Sequence, residues 1–268
     1  DIFAFKINLS YMQAQDWEAD NMSAVDGTIS SNNPGGYDAV NRYGDEDIGG
    51  NLNDVRNNFN LNYLTQPGLG KFHRTGYMEK DIVDYNTRNL KAQTSLHYMI
   101  TPKTELIYGT NYSTGTTVYQ GDNRFSLKNI QFWQNKLEFR QKDKFFLRAY
   151  ITSEDAGDSY DAVFTAIKLQ EHNLIDNNDW YSNYSANWAD NFSWDDVNYS
   201  YSFAFPNFIV NGDTLTQNAF ADLSDSVINA NTDIIIAAHD ATRAQSDLET
   251  NRLVPGTTAF NEMLTEIT

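Results

Sequence analysis

Residues 89–152 read NLKAQTSLHYMITPKTELIYGTNYSTGTTVYQGDNRFSLKNIQFWQNKLEFRQKDKFFLRAYIT. The stretch consists of four extended segments, 89–100, 105–119, 124–140 and 145–152, joined by three short connections. Apolar and polar side chains alternate along these segments with a period of two, which is typical of β-strands with one apolar and one polar face. The stretch therefore predicts a four-stranded antiparallel meander.

The apolar side of the meander consists of every second residue. Its members are Leu90, Ala92, Thr94, Leu96, Tyr98, Ile100, Leu106, Tyr108, Thr110, Tyr112, Trp133, Leu137, Phe139, Phe145, Leu147, Ala149 and Ile151. The same alternation predicts a fifth long strand at the start of the chain. Its apolar positions are Phe3, Phe5, Ile7, Leu9 and Tyr11.

Two architectures produce this pattern. A soluble β-sandwich turns the apolar face of each sheet towards a core, whereas a membrane β-barrel turns it towards lipid and its polar face towards a lumen. Alternation alone leaves both interpretations open. The segments exceed the usual strand length of about five or six residues, and two groups of aromatic residues flank an aliphatic middle, as in the aromatic girdles of a barrel. These groups are Tyr98, Phe139 and Phe145 near two of the turns, and Tyr11, Tyr112 and Trp133 towards the other end.

The lengths of the connections favour the barrel. Two tight turns, at residues 101–104 and 141–144, fall at one end of the predicted meander. The long connection at about residues 14–88 and the long segment 154–268 both leave from the other end. Short periplasmic turns opposite long extracellular loops are typical of outer-membrane barrels. We therefore predict that residues 1–153 form barrel strands with one long extracellular loop, and that residues 154–268 form a second large extracellular region with helices and a small hairpin.

Composition excludes several classes of function. The net charge is 19 − 36 = −17, which argues against a nucleic-acid partner, since binding to phosphates needs clustered basic residues. Without cysteine there is no disulfide framework and no thiolate chemistry. The longest apolar run, residues 234–238, is much shorter than the roughly 20 residues of a membrane-spanning helix. The first residues already have a strand pattern, so we expect an internal piece of a longer protein.

The second half of the chain contains several local signals. Helical spacing predicts helices at residues 159–174, with Asp158 as the cap, at 233–249, and after 255–257. The dipeptide Asn211-Gly212 predicts a type I′ hairpin turn. Alternation predicts a strand at residues 197–205, and residues 51–64 suit either a short helix or a strand. An aromatic stretch includes Trp180, Tyr181, Trp188 and Trp194, which either contact a ligand or partner or form the core of a large loop.

The sequence contains few groups of residues that could catalyse a reaction or bind a metal. The histidines, His73, His97, His172 and His239, have no metal-binding spacing, and no catalytic nucleophile motif occurs, so we do not expect an enzyme. We expect no cofactor except that outer-loop calcium could be held by acidic clusters. These clusters are Asp45-Glu46-Asp47 and the group Glu154, Asp155, Asp158 and Asp161. Favourable charge at a helix N-terminus explains Asp158 and Asp161 equally well.

Four blocks of sequence resemble blocks in the barrel of TonB-dependent outer-membrane receptors of the type that begins with a carboxypeptidase-regulatory-like domain. They are GYMEKDIVDYNTRNLK (residues 76–91), GTTVYQGDNRFSLKNIQF (115–132), FFLRAYITSEDAGDSYDA (145–162) and RLVPGTTAFN (252–261). The resemblance implies an all-β fold: an up-and-down antiparallel transmembrane barrel of about twenty-two strands closed by a plug. About five of those strands would be present here, with long extracellular loops carrying short helices.

The resemblance also implies a location and a function. The expected location is the bacterial outer membrane, and the expected activity is uptake of a scarce solute with energy from the TonB complex. TonB would act through parts of the chain that are absent here, since these residues contain neither a plug nor a TonB-contacting segment. The expected lumen residues, which shape the ligand path or brace the plug, are Lys91, His97, Lys136, Glu138 and Arg148.

Two alternatives to transport remain. The first is a barrel subunit without transport activity in a larger outer-membrane assembly, which docks an outer-membrane lipoprotein or another barrel through its long loops. The second is a soluble secreted β-sandwich that acts as a binding module.

Overall fold

The computed structural model describes residues 2–25, 38–45, 69, 72–121, 123–172, 178–204 and 207–268. Its strands are β1 (Phe3–Gln15), β2 (Arg42–Tyr43), β3 (Tyr77–Met78), β4 (Asn86–Thr101), β5 (Thr104–Gln120), β6 (Arg124–Gln141), β7 (Phe145–Asp155), β8 (Tyr160–Asp161), β9 (Tyr201–Ala204), β10 (Asn207–Val210) and β11 (Asp213–Leu215). Its helices are α1 (Glu79–Ile82), α2 (Ala162–Glu171), α3 (Asn178–Asn191), a 3₁₀ turn (Trp194–Val197), α4 (Gln217–Ala230), α5 (Thr232–Glu249) and α6 (Thr258–Ile267).

The predicted meander is confirmed. Strands β1, β4, β5, β6 and β7 lie in that order in one antiparallel sheet, and the short strand β8 pairs with β6. The five long strands contain 13, 16, 17, 18 and 11 residues. Among the strands that the structure describes, β1 and β7 do not pair with each other, so the sheet stays open and does not close into a barrel.

Internal contacts divide the chain into two units. Unit 1 comprises residues 1–19, 82–165 and 268 and contains the large sheet, whereas unit 2 comprises residues 20–81 and 166–267. Most of the connection between β1 and β4, residues 16–85, therefore belongs to unit 2. The antiparallel β architecture predicted from the sequence holds for unit 1. Unit 2 is richer in helix than predicted, with two helices of 14 residues and one of 18.

The core of unit 2 is mainly aromatic. Its fully buried members include Phe72, Tyr184 and Trp188, and the rings of Phe72 and Tyr184 stack with their centroids 4.4 Å apart. In the same core the ring centroids of Phe208 and Phe220 lie 4.1 Å apart, and the two rings stack. Burial of such large rings removes a large apolar area from water and so stabilises unit 2.

The predicted hairpin in unit 2 is confirmed. Strands β10 and β11 are joined by Asn211 and Gly212, whose φ angles are +51° and +92°. Positive φ at both central residues defines the type I′ turn that an Asn-Gly pair favours. The helix predicted at residues 233–249 and the one after residues 255–257 are confirmed as α5 and α6.

The predictions for one helix and one strand need correction. The helix predicted at residues 159–174 begins at Ala162, and its cap is Asp161, whose Oδ1 accepts hydrogen bonds from the amides of Val163 and Phe164. Asp158 instead accepts a hydrogen bond from Asn129, because the chain is still in a turn there. The predicted strand 197–205 shrinks to β9, since residues 194–197 form a 3₁₀ turn. Residues 51–64 lie outside the described residues.

Helix α3 was not predicted, and it carries Trp180, Tyr181 and Trp188 of the aromatic stretch. In the parts of the chain that the structure describes, no helix is both long and apolar enough to cross a membrane.

Candidate functional site: the two faces of the sheet

One face of the large sheet is apolar across all five long strands. Cross-strand partners align in rows, one of which runs Phe5, Leu96, Tyr108, Leu137 and Ala149 from β1 to β7. Because each row takes one residue from every strand, the alternation seen in the separate segments adds up to one continuous surface. The predicted apolar set lies on this face.

This apolar face is exposed. The exposed fractions are 38% for Leu96, 42% for Tyr108, 51% for Leu137 and 69% for Leu147. A core-facing sheet would bury these side chains almost completely, and soluble monomers rarely expose apolar patches above a few hundred Å². Among the described residues, this face is therefore not covered by a protein core.

The opposite face carries the residues predicted to line a lumen. Lys91, His97, Lys136, Glu138 and Arg148 all occupy the polar parity of their strands. The structure brings four of them towards the end with the tight turns, and it places Lys91 farther along β4. The shared face follows from the period of two, since pairing in register keeps each parity on one side of the sheet.

Glu105 and Arg140 complete the charged network on this face. His97 Nδ1 lies 2.6 Å from Glu105 Oε1, and Arg140 Nε donates to Glu105 Oε2 at 2.7 Å. The sequence prediction missed both residues, although they share the parity of the predicted set. Glu105 and Arg140 lie directly opposite each other on β5 and β6, and this pairing of opposite charges could have predicted them.

A second part of the network centres on Glu138. Its carboxylate accepts from Arg148 Nε at 2.8 Å, and Lys136 Nζ lies 3.8 Å away. The Glu138 side chain is 7% exposed, whereas those of Arg148 and Lys136 are 46% and 39% exposed. The buried carboxylate of Glu138 is thus neutralised by two cationic side chains that remain partly exposed to water.

We predict that the Glu138–Arg148 pair contributes measurably to stability. A fully buried pair loses about 3–5 kcal/mol when one partner is removed, but the half-exposed Arg148 reduces this, so we expect a coupling energy of about 1–2 kcal/mol. The measurement is a double-mutant cycle with Glu138→Gln and Arg148→Gln, followed by urea unfolding. The exposed pair Lys168–Glu171 serves as control, with an expected coupling of no more than about 0.5 kcal/mol. Equal coupling in both pairs would contradict the prediction.

A concavity of ≈ 620 Å³ opens near the tight turns of the sheet. Its lining residues are Met99, Pro102, Lys103, Glu105, Glu138, Arg140, Gln141, Lys142, Asp143, Lys144, Phe145, Phe146 and Arg148. Basic side chains outnumber acidic ones in this lining, five to three. In a chain with a net charge of −17, this local excess of positive charge favours anionic groups.

Asp16 anchors the other end of the sheet. Its carboxylate accepts hydrogen bonds from the Val118 amide and the Thr117 hydroxyl, both at 3.1 Å, and from the Trp17 amide at 2.9 Å. Burial alone would raise the pKa of Asp16, but these hydrogen bonds and the positive charge of Arg124 outweigh it, and the pKa lies below its ordinary value. Asp16 thus ties the chain after β1 to β5, two strands away.

We predict that this anchor fails in acid. The folded-state pKa of Asp16 is depressed, so its contribution is fully present above the unfolded pKa of about 3.9 and is lost as the pH falls through the folded value. Asp16→Asn should therefore destabilise the protein at neutral pH, and the difference from wild type should shrink below about pH 4. Denaturant unfolding at both pH values provides the measurement. A difference that does not change with pH would show that Asp16 contributes no titrating interaction.

The four aromatic residues proposed for ligand or partner contact are buried in unit 2. Trp180, Tyr181, Trp188 and Trp194 are 3%, 7%, 0% and 8% exposed. Residues 180, 181, 184 and 188 recur at helical spacing on α3, which faces α5, and this is the signal that would have predicted α3. The arrangement agrees with the interpretation of these residues as the core of a large loop. Trp188 could stack on a ligand only if the packing between α3 and α5 opened.

Several polar groups within this core form hydrogen bonds. Tyr184 Oη lies 2.7 Å from His239 Nδ1, and burial raises the Tyr184 pKa well above its usual range. Asp247 accepts a hydrogen bond from Trp180 Nε1 at 2.9 Å, and burial raises its pKa although Arg252 acts in the opposite direction. These contacts orient the side chains of α3 against α5.

Two carboxylates of the acidic clusters proposed for calcium, those of Asp45 and Asp161, make contacts within the protein. Asp45 is buried and pairs with Arg42 Nε at 2.5 Å, while residues 46 and 47 lie outside the described residues. Asp161 caps α2 and also accepts from Asn123 at 2.7 Å. Within the described part of the chain, no group of three or more histidine, cysteine or carboxylate ligands surrounds a common point.

Compared with known protein families, with curated proteins and with solved structures, the chain matches none.

Proposed function

We propose that this chain forms part of an outer-membrane β-barrel that takes up a scarce solute in a TonB-dependent way. The observation that carries the proposal is the exposed apolar face, which stays in register over five long strands and lies opposite a face of ion pairs. Lipid on one side and an aqueous lumen on the other satisfy both faces.

The height of the apolar face supports a membrane environment. On β4 the apolar positions extend from Leu90 to Ile100, ten residue steps or about 33 Å at 3.3 Å per residue. A tilt of about 40° reduces this to about 25 Å along the membrane normal, which is the height of the apolar band of a transmembrane barrel.

The open edges of β1 and β7 fit a barrel completed by other strands. In hydrocarbon an unpaired strand edge is too costly, because its N–H and C=O groups have no water to bind. Closure would need strands from outside the described residues. The long connection after β1 and the chain after β7 leave the sheet at the end opposite the tight turns, as extracellular loops would.

Transport itself rests on the resemblance to TonB-dependent receptors. In this mechanism the outer segments capture the solute, which then passes along the polar face of the sheet once the plug has moved. The partner would be the TonB complex.

A second candidate function is that of a structural subunit that docks an outer-membrane lipoprotein or another barrel. It is favoured by exposed apolar side chains on folded unit 2, such as Leu248 at 79% and Val254 at 55%.

Cell fractionation tests the barrel. A barrel remains in the outer-membrane fraction through alkaline washing and leaves only with detergent. A soluble β-sandwich would leave the membrane fraction without detergent. The exposed apolar face already argues against that fold.

Solute depletion separates transport from the structural role. Cells with and without the full-length protein are grown in the same medium, and the solutes left in the medium are compared. A transporter depletes at least one solute, and this depletion stops when a protonophore dissipates the proton-motive force. A structural subunit leaves solute depletion unchanged, and its removal alters the membrane proteins that co-purify.

A further inference from the structure

The concavity near the tight turns lies on the polar face of the sheet. Its lining includes one row of cross-strand partners, which runs Met99, Glu105, Arg140 and Phe146 from β4 to β7. The two turns that follow β4 and β6 also line it, and the Lys142 amide donates to the Lys103 carbonyl at 2.8 Å, which holds these turns side by side. The concavity therefore lies entirely within unit 1, on strands that pair in register.

Two of the acidic side chains in the lining are neutralised within the sheet. Glu105 accepts from Arg140 Nε at 2.7 Å, and Glu138 accepts from Arg148 Nε at 2.8 Å. The side chains of Glu105 and Glu138 are 13% and 7% exposed, whereas those of Arg140 and Arg148 are 51% and 46% exposed. A molecule that enters the concavity thus meets the guanidinium groups and not the carboxylates.

Three lysines add positive charge that the sheet does not neutralise. Lys103, Lys142 and Lys144 line the concavity and are exposed. Among the residues that the structure describes, none of the three forms an ion pair. Five basic and three acidic residues line the concavity, which leaves an excess of two positive charges. This excess favours a ligand with two negative charges.

An exposed aromatic side chain lies beside these charges. Phe146 is 66% exposed although it lies on the polar face, and the guanidinium carbon of Arg148 lies 5.4 Å from its ring centroid. Met99, at the other end of the same row, is a second apolar group in the lining. Apolar walls with a few charged groups are typical of sites for small organic ligands. The volume of ≈ 620 Å³ lies within their usual range of about 300–1,000 Å³.

We propose that this concavity binds a small organic dianion with a flat apolar body, such as an aromatic dicarboxylate. Lys103, Lys142 and Lys144 contact its anionic groups, and the ring of Phe146 packs against its apolar body. The site lies at the end of the sheet opposite the long segments to which solute capture is assigned, so it goes beyond the proposed uptake function. It needs only the polar face, and it holds whether or not the apolar face meets lipid.

The first test measures how binding depends on charge. The full-length protein is titrated by calorimetry with terephthalate, and terephthalyl alcohol serves as a neutral probe with the same ring. The turn variant is Lys103→Gln/Lys142→Gln/Lys144→Gln. The control variant, Lys80→Gln/Lys128→Gln/Lys168→Gln, loses the same charge at three lysines outside the lining.

We expect the turn variant to bind terephthalate about tenfold more weakly than the wild type, since each exposed charge contributes up to about fivefold. The control variant should bind terephthalate as the wild type does, and the wild type should bind the alcohol about tenfold more weakly than terephthalate. Equal binding of terephthalate by the turn variant and the wild type would overturn the inference. Equal binding of the two probes by the wild type, or no binding of terephthalate, would also overturn it.

The second test measures the contribution of the aromatic ring. Phe146→Ala should bind terephthalate about fivefold more weakly, because contact between two aromatic rings is lost, and should bind succinate as the wild type does. The control is Tyr150→Ala, since Tyr150 is 72% exposed on the same face of β7 but lies outside the lining. No loss in Phe146→Ala, or an equal loss in Tyr150→Ala, would overturn the contact with Phe146. None of these outcomes affects the barrel proposal, which depends on the apolar face.

Discussion

Replacing Leu137 by arginine is expected to abolish assembly into the outer membrane. Leu137 lies near the middle of the apolar rows, between Tyr108 on β5 and Ala149 on β7. An arginine facing lipid near the bilayer midplane costs about 2–4 kcal/mol. Because Leu137 is already 51% exposed, the same change in a water-soluble protein would cost at most about 0.5 kcal/mol. The two environments therefore predict effects of clearly different size.

The matched control is Gln134→Arg. Gln134 lies three residues away on β6, on the polar face, where it accepts a hydrogen bond from Asn111 at 3.2 Å. In the proposed barrel an added cation there would face the water-filled lumen, so normal amounts of protein should reach the membrane. The measurement is the amount of full-length protein in the outer-membrane fraction that shows heat-dependent migration on gels. Normal assembly of Leu137→Arg would contradict lipid contact at this face.

Replacing Trp188 by alanine is expected to unfold unit 2. Trp188 is fully buried, with its ring centroid 4.4 Å from that of His239 and 5.5 Å from that of Phe192. Truncation of a buried tryptophan costs about 3–5 kcal/mol, because the cavity adds to the lost transfer energy. This is a large share of the stability of an ordinary domain. The expected result is rapid proteolysis within residues 166–267 of the full-length protein, while the strands of unit 1 stay protected.

The control for Trp188 is Leu248→Ala. Leu248 lies on α5 and is 79% exposed, so its truncation should leave the rate of proteolysis close to that of wild type. If Trp188→Ala resists protease as well as wild type, the aromatic cluster is not the core of unit 2. If Trp188→Ala resists protease but no longer binds a ligand that the wild type binds, the aromatic residues contact that ligand and do not form the core.

The elements of unit 1 could be predicted because their signals are local. Alternation with a period of two needs only neighbouring residues, and the short polar connection at residues 101–104 marks a turn. In unit 2, the hairpin turn at Asn211-Gly212 has an equally local two-residue signature. Once strands and tight turns are known, an antiparallel register follows. That register places Lys136, Glu138 and Arg148 on one face before any coordinate is known.

Helix α3 and the cap of α2 were not predicted correctly, because both depend on contacts between residues that are distant in sequence. Helix α3 is rich in Asn, Asp and Ser, which weaken a helical signal, and its aromatic face is stabilised by packing against α5. The position of the α2 cap was wrong by three residues, because Asp158 and Asp161 are equally good caps in isolation. Asn123 and β6 select Asp161 through contacts that the local sequence does not show.

A spin-label scan along β6 tests the central claim most directly. These 268 residues contain no cysteine, so a cysteine introduced at one of positions 133–139 is the only one among them. Any cysteine elsewhere in the full-length protein is first replaced by serine. The account predicts that odd positions, including Leu137, are accessible to oxygen dissolved in lipid, and that even positions, including Gln134, are accessible to a water-soluble nickel chelate. Odd positions that are shielded from both, or open to the chelate, would contradict contact between the apolar face and acyl chains.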